Sequence, residues 1–328
     1  MSVCILVHHR QRPGQHVAEG QSNQVESDTE DSTKTSASSH EACEKSDKTE
    51  QIPAYPFHPH FSLKSHSSSI DVIQRTCRGR KGTKAIVILL PGVHGGVGPC
   101  RQPGEVYDKN CLYAAVSKRL REIDAPTDVF RCSWPFMQPQ MVDAVAGVCR
   151  VLHYALIRAN VSKHKRKVKV ILVGHSLGGA VAVNAALRLC QTFGPDGSGC
   201  RSIEGLENAK VKIAGLCTLN AALSPRSLMQ GSLEDLKQLN ALIVSGDADE
   251  VVPPVASRHL HEVLKENCSS AVRHLSLPGG THDLFQYKDW LVSELTNFIC
   301  QCLTHRTAST KRTEPQKSQF PVASPTVQ

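Results

Sequence analysis

Val168-Lys169-Val170-Ile171-Leu172-Val173 runs straight into Gly174-His175-Ser176-Leu177-Gly178-Gly179, and Ala180-Val181-Ala182-Val183-Asn184-Ala185-Ala186 follows. Five of the first six residues are apolar and four are β-branched, the composition of a buried strand interrupted only by Lys169. The last seven are small residues that suit a helix packed closely on its neighbours. Gly-x-Ser-x-Gly is by itself a weak pattern, since a serine before a helix often serves only as its N-cap. Between a strand and a helix it acquires chemical meaning. The serine then sits on a sharp turn in strained backbone, and its hydroxyl projects from the end of a sheet. Glycines at 174 and 178 omit the Cβ atoms that would collide where the backbone crosses itself.

Outward from this unit, strand and helix patterns alternate. Ser69-Ile70-Asp71-Val72-Ile73-Gln74 alternates like an edge strand, and Ala85-Ile86-Val87-Ile88-Leu89-Leu90 is apolar throughout, as expected of a strand covered on both faces. Helices fit 108–123 and 141–158 around a strand at 128–132. Strands at 212–217, 241–244 and 272–275 then flank a helix at 255–264, and a last helix fits 288–302. Alternating βα units of this length predict an α/β fold: a mostly parallel central sheet with helices on both faces. The folded domain is expected over 68–304. Residues 1–67 read as a flexible arm, because 21–50 carries eight acids against three lysines, many Ser and Thr, and no aromatic residue, too little apolar surface to offset the entropy of ordering. Residues 305–328, rich in Ser, Thr, Pro and Lys, read as a disordered tail.

Thirteen cysteines with no Cys-x-x-Cys pair suggest reduced thiols rather than a disulfide framework. No Cys/His cluster has zinc-like spacing, so no metal is expected. The opening ten residues lack a basic flank and a cleavage site, and no stretch is long and apolar enough to span a bilayer; the expectation is a cytoplasmic protein. The net charge of +8 is concentrated in runs at 75–84, 163–167 and 311–312. Solvated loops account for such runs, with contact to an anionic membrane surface as the alternative. Nucleic acid is not an expected partner, because no aromatic residues are interleaved with these charges.

Four segments fall at carboxyl ends of predicted strands, where α/β sheets carry their chemistry. These are Pro91-Gly92-Val93-His94-Gly95-Gly96-Val97-Gly98, Ser176, Ser245-Gly246-Asp247-Ala248-Asp249-Glu250-Val251-Val252-Pro253, and Leu277-Pro278-Gly279-Gly280-Thr281-His282-Asp283. The glycine-rich segment lacks the Lys-Ser or Lys-Thr of a phosphate loop. The order glycine loop, serine, acid, histidine, with these motifs, resembles the α/β-hydrolase family over about residues 69–304.

That resemblance implies a serine hydrolase with Ser176 as nucleophile, His282 as general base and Asp249 as the acid that orients it. The family pattern Gly-x-x-Asp-x-x-Val-Pro falls on Gly246, Asp249, Val252 and Pro253, which favours Asp249 over Asp247. His274, inside a strand pattern, is the lesser candidate for the base. Oxyanion-hole donors are implied at the backbone N–H groups of Leu177 and Val93; reading His94-Gly95 as the family's His-Gly pair would move the second donor to Gly96. His94, Trp134, Phe136 and Met137 are candidates for a substrate wall, with core packing an equal explanation for the last three. The segment between Asn220 and Asn240, 21 residues, is too short for a large lid. No cofactor is implied. The expected substrate is a small acyl ester or thioester, with a lipase on membrane or droplet lipids and a non-catalytic binding protein as alternatives. The oligomeric state is left open.

Overall fold

The computed structural model describes residues 6–8, 61–64, 69–76, 83–93, 98–100, 111–134, 139–159, 167–194, 210–223, 236, 238–268 and 271–304. The elements are β1 (Leu6–His8), β2 (Phe61–Lys64), β3 (Ser69–Thr76), β4 (Ala85–Leu90), α1 (Leu112–Glu122), β5 (Thr127–Ser133), α2 (Met141–Arg158), β6 (Lys167–His175), α3 (Leu177–Phe193), β7 (Lys210–Leu219), β8 (Asn240–Gly246), α4 (Pro254–Asn267), β9 (Val272–Leu277) and α5 (Lys288–Thr304). One sheet holds all the strands in the order β1-β2-β3-β5-β4-β6-β7-β8-β9. The six from β5 to β9 are parallel, and β1, β2 and β3 add antiparallel pairings at the β5 side.

Strand β4 shows why the sheet is buried on both faces. Ile86, Ile88 and Leu90 point into a core shared with α2, α3 and α4, whereas Ala85, Val87 and Leu89 point into a second core with α1 and α5. The period of two in a strand divides one apolar run between two layers. Helix α3 is buried almost all round, and its small residues let it lie close against β6 and β7. The longer α2 presents an amphipathic stripe, with Val145, Val148, Leu152 and Ala155 buried.

Two features depart from the sequence expectation. Ser69–Thr76 is not an edge strand, because β2 pairs along its outer side. Strands β1 and β2 also lie within the stretch expected as a flexible arm. At three and four residues, neither is long enough for strand periodicity to emerge from its surroundings. No disulfide joins the nine cysteines among the described residues, and among those residues no group of His, Cys, Asp or Glu could hold a metal. No described helix is long and apolar enough to cross a membrane.

Chain order along the sheet reverses beside β4: its successor β5 lies on one side and β6 on the other. Such switch points open a crevice at the carboxyl ends of the strands. Ser176 follows β6 at that place.

Candidate active site

Ser176 has φ 54° and ψ −121°, in the left-handed half of the map that L-residues avoid. The close crossing of β6, α3 and the end of β4 imposes this conformation. A Cβ on Gly174 would stand 2.0 Å from the carbonyl oxygen of Gly178, and one on Gly178 would stand 2.3 Å from that of Pro91. The turn is tied down on a third side by β7, since Ser176 N–H donates to Leu219 O at 2.9 Å and Ser176 O accepts from Ala222 N–H at 3.0 Å. Leu177 opens α3, so its N–H has no acceptor within the helix and the positive end of the helix dipole faces the serine.

Asp249 and His282 meet across the β8 and β9 loops. His282 Nδ1 lies 2.8 Å from Asp249 Oδ2, and the other carboxylate oxygen, Oδ1, accepts from the N–H groups of Val251 at 2.8 Å and Val252 at 2.9 Å. The Asp249 side chain is fully buried and that of His282 is 20% exposed. A carboxylate can only accept, so the ring proton resides on Nδ1 and Nε2 is left as a proton acceptor. Asp247 faces elsewhere: its Oδ1 accepts from Gly279 N–H at 2.5 Å. His274 is also remote from this pair, with Nε2 2.9 Å from Ser245 Oγ and its ring beside His261.

The fold ties His282 to the serine turn through the backbone. The His282 carbonyl oxygen lies 2.9 Å from His175 Nε2 and 2.9 Å from Asn220 Nδ2, and the His175 and His282 rings stand 4.8 Å apart. Among the described residues, no hydrogen bond joins Ser176 Oγ to the His282 ring. Unliganded sites often hold this contact long, to close on substrate. His175 is buried, and burial with the neighbouring His282 lowers its pKa to about 4.

Val93 is part of a turn directly after β4. A Cβ on Gly92 would lie 3.4 Å from both His175 Nδ1 and Ser176 Cβ, so this loop rests on the serine turn. Trp134 is 5% exposed in the core, and its indole N–H donates to Gly92 O at 3.1 Å. That places Trp134 behind the loop as packing, with its polar atom engaged by the backbone. Tyr113 Oη donates to Leu90 O at 2.9 Å, supporting the same segment two residues earlier, at the end of β4. His94, Gly96, Phe136 and Met137 lie outside the described residues, as do most of the 224–237 segment and the basic stretches at 163–166 and 311–312.

The fold matches that of solved structures. The structure superposes on a candidate α/β hydrolase of unknown function from Agrobacterium tumefaciens with a TM-score of 0.51 at 17% identity, covering 75% of this chain and 96% of that one. The chain has the α/β-hydrolase fold. Est1E from Butyrivibrio proteoclasticus gives a TM-score of 0.50 at 15% identity over 76% of this chain and all of that one. An α/β serine hydrolase without lid from Xanthomonas campestris gives 0.50 at 15% identity, covering 77% and 99%. The lipase (class 3) family model matches residues 135–202, which in this α/β-hydrolase fold hold α2, β6, Ser176 and α3.

Two side chains of the site, His175 and Asn220, were not assigned a role from sequence. His175 occupies a variable position of Gly-x-Ser-x-Gly, which carries no signal in a single sequence. Asn220 ends a strand in the same row as the three candidate catalytic segments, and that placement was the available clue.

Proposed function

We propose that this chain is a serine hydrolase that cleaves a carboxylic ester or thioester through an acyl-enzyme. The observation that carries the reading is the 2.8 Å bond between His282 Nδ1 and Asp249, on a loop hydrogen-bonded to the residue before a strained serine. The match of residues 135–202 to the class 3 lipase family supports ester hydrolysis over a binding role.

In this mechanism Ser176 Oγ attacks the acyl carbonyl carbon while His282 Nε2 takes the hydroxyl proton. Asp249 holds the ring tautomer and stabilises the imidazolium. The tetrahedral oxyanion accepts hydrogen bonds from the N–H groups of Leu177 and Val93. Collapse breaks the bond to the alcohol or thiol, which leaves with the proton from His282. Water, deprotonated by the same nitrogen, then releases the acid and restores Ser176.

Lipid esters are the second reading, and the class 3 lipase match favours them. Contact with an anionic surface belongs to that reading. Lys167 and Lys210, and Lys169 and Lys212, are register neighbours on β6 and β7. Burial lowers the pKa of Lys169 and Lys212, with repulsion from Lys212 and Lys167 adding to it at Lys169 and from Lys167 at Lys212. This cluster lies at the amino ends of the strands, away from Ser176, so a membrane bound there would leave the site facing solution.

A fluorophosphonate probe tests the mechanism without a known substrate. The wild type is expected to be labelled, Ser176→Ala not at all, and His282→Ala far more slowly. Absence of labelling on folded wild-type protein would sink the hydrolase reading. Hydrolysis rates across short-chain esters, long-chain esters and acyl thioesters then separate the two substrate readings.

A further inference from the structure

Asn220 makes contacts that bear on all three candidate catalytic residues. It follows β7, is 1% exposed and has φ 45°, a left-handed conformation that asparagine tolerates better than other residues with a Cβ. Its own N–H donates to Val244 O at 2.9 Å, and the preceding carbonyl, Leu219 O, accepts from Ser176 N–H at 2.9 Å. The two ends of its side-chain amide then point to different segments. Oδ1 accepts from Gly246 N–H at 2.8 Å, at the end of the strand whose loop carries Asp249 three residues later. Nδ2 donates to the carbonyl oxygens of Thr281 at 3.1 Å and His282 at 2.9 Å.

We propose that Asn220 is a positioning residue that holds the His282 loop in register with Ser176 and Asp249; this rests on the serine hydrolase reading above. The side chain fits three demands at once. It accepts from one strand end, donates to a neighbouring loop, and occupies a left-handed backbone position. Aspartate meets the first and third but has no donor. Glycine meets only the third.

Among the described residues the ring of His282 makes one side-chain hydrogen bond, from Nδ1 to Asp249. The reach of Nε2 toward Ser176 Oγ is therefore set largely by where the backbone at 281–282 sits. Two donors hold that backbone at the His282 carbonyl: His175 Nε2, from the serine's own turn, and Asn220 Nδ2. A displacement of about 1 Å in a catalytic group lowers the rate on the order of 100-fold. A residue that only fills a strand end would affect melting and leave the geometry of His282 unchanged.

The test uses the full chain with Asn220→Gly and Asn220→Asp. Glycine keeps the left-handed backbone, and aspartate keeps the acceptor arm to Gly246 while abolishing the donor arm. Both variants are expected to melt cooperatively and to be labelled by a fluorophosphonate on the order of 100-fold more slowly than the wild type. The downfield proton resonance of His282 Nδ1–H, assigned by its absence in His282→Gln, is expected to broaden or vanish in both. If Asn220→Gly does not fold, Asn220→Asp carries the test alone. Wild-type labelling rate together with an unchanged Nδ1–H resonance in a folded variant overturns the proposal. An unlabelled wild type removes the hydrolase reading, and the resonance then decides the positioning role: loss in Asn220→Asp supports it and persistence overturns it.

Discussion

His175 Nε2 lies 2.9 Å from the main-chain carbonyl oxygen of His282, so the residue before the candidate nucleophile is bonded to the backbone of the candidate base. A carbonyl can only accept, which places the His175 proton on Nε2 and leaves Nδ1 bare beside Gly92. Protonating Nδ1 would put a charge into a buried site, next to a second histidine. The cost of that charge is what lowers the His175 pKa to about 4.

This shift makes the fold sensitive to acid in a defined window. Unfolded, His175 binds a proton below about pH 6.5; folded, it refuses that proton until about pH 4. The contribution to stability is complete above the unfolded pKa and is lost as pH falls through the folded one. From pH 7 to pH 5 the loss should be about 2 kcal/mol. Urea denaturation of the wild type and of His175→Gln, whose amide can still donate to the His282 carbonyl, measures it. The wild type should lose about 2 kcal/mol more than the variant over that interval; equal losses would refute this.

Asp249 and Asp247 stand two residues apart in one loop and do different work. The first accepts from His282 Nδ1 and from two backbone N–H groups, and the second accepts from Gly279 N–H. Asn at 249 could keep the backbone bonds through its oxygen and present NH2 to the ring, which forces the wrong tautomer on His282. Asp249→Asn is therefore expected to slow serine labelling on the order of 10⁴-fold, as loss of the triad acid does elsewhere. Asp247→Asn retains an acceptor for Gly279 and should label at close to the wild-type rate. Equal effects from the two variants would contradict this assignment.

Strong local signals made the parallel core legible. Ala85–Leu90 and Met141–Arg158 fall at the boundaries expected from apolar continuity and from helical spacing. Strand-end placement also selected the segments that meet at the site. The preference for Asp249 over Asp247 comes from the pattern Gly-x-x-Asp-x-x-Val-Pro, and the 2.8 Å contact of Asp249 with His282 Nδ1 agrees with the proposal built on it. Trp134 follows a strand in an apolar loop, a place that fits a pocket wall and core packing equally. Local sequence cannot show that its indole faces inward to Gly92 O. Asn220 carries no local signal for a related reason: its side-chain partners are 26 to 62 residues away, and long-range hydrogen bonds leave no periodic trace.

Trp134 offers a test of the loop after β4. Across a trans peptide the C=O and the following N–H point in opposite directions. By fixing Gly92 O, the indole thus sets the direction of the Val93 N–H, the proposed oxyanion donor. Trp134→Phe retains most of the apolar volume and deletes the donor. Leaving that carbonyl without its partner should cost about 1–3 kcal/mol of stability. It should also lower kcat for a model ester by about 10-fold while KM changes little, because an oxyanion donor acts chiefly in the transition state. A fall in melting temperature with kcat unchanged would separate the tryptophan from the oxyanion site.

The backbone of Ser176 sets function against stability in a measurable way. Its φ of 54° and ψ of −121° lie where only glycine is comfortable, and a residue with a Cβ held there carries about 1–3 kcal/mol of strain. Ser176→Ala removes the hydroxyl but keeps the Cβ, hence the strain. Ser176→Gly removes both, against a loss of about 0.5–1 kcal/mol from the greater freedom of glycine in the unfolded chain. The glycine variant should therefore be the more stable of the two by about 1 kcal/mol, although neither can be labelled by a fluorophosphonate. Chemical denaturation of both variants beside the wild type reads this directly. If Ser176→Gly is less stable than Ser176→Ala, the strain is not where the geometry puts it. If it is more stable, the chain retains a destabilising residue at the one place where a hydroxyl must be held out from the end of the sheet, and that is the signature of a nucleophile rather than of a helix cap.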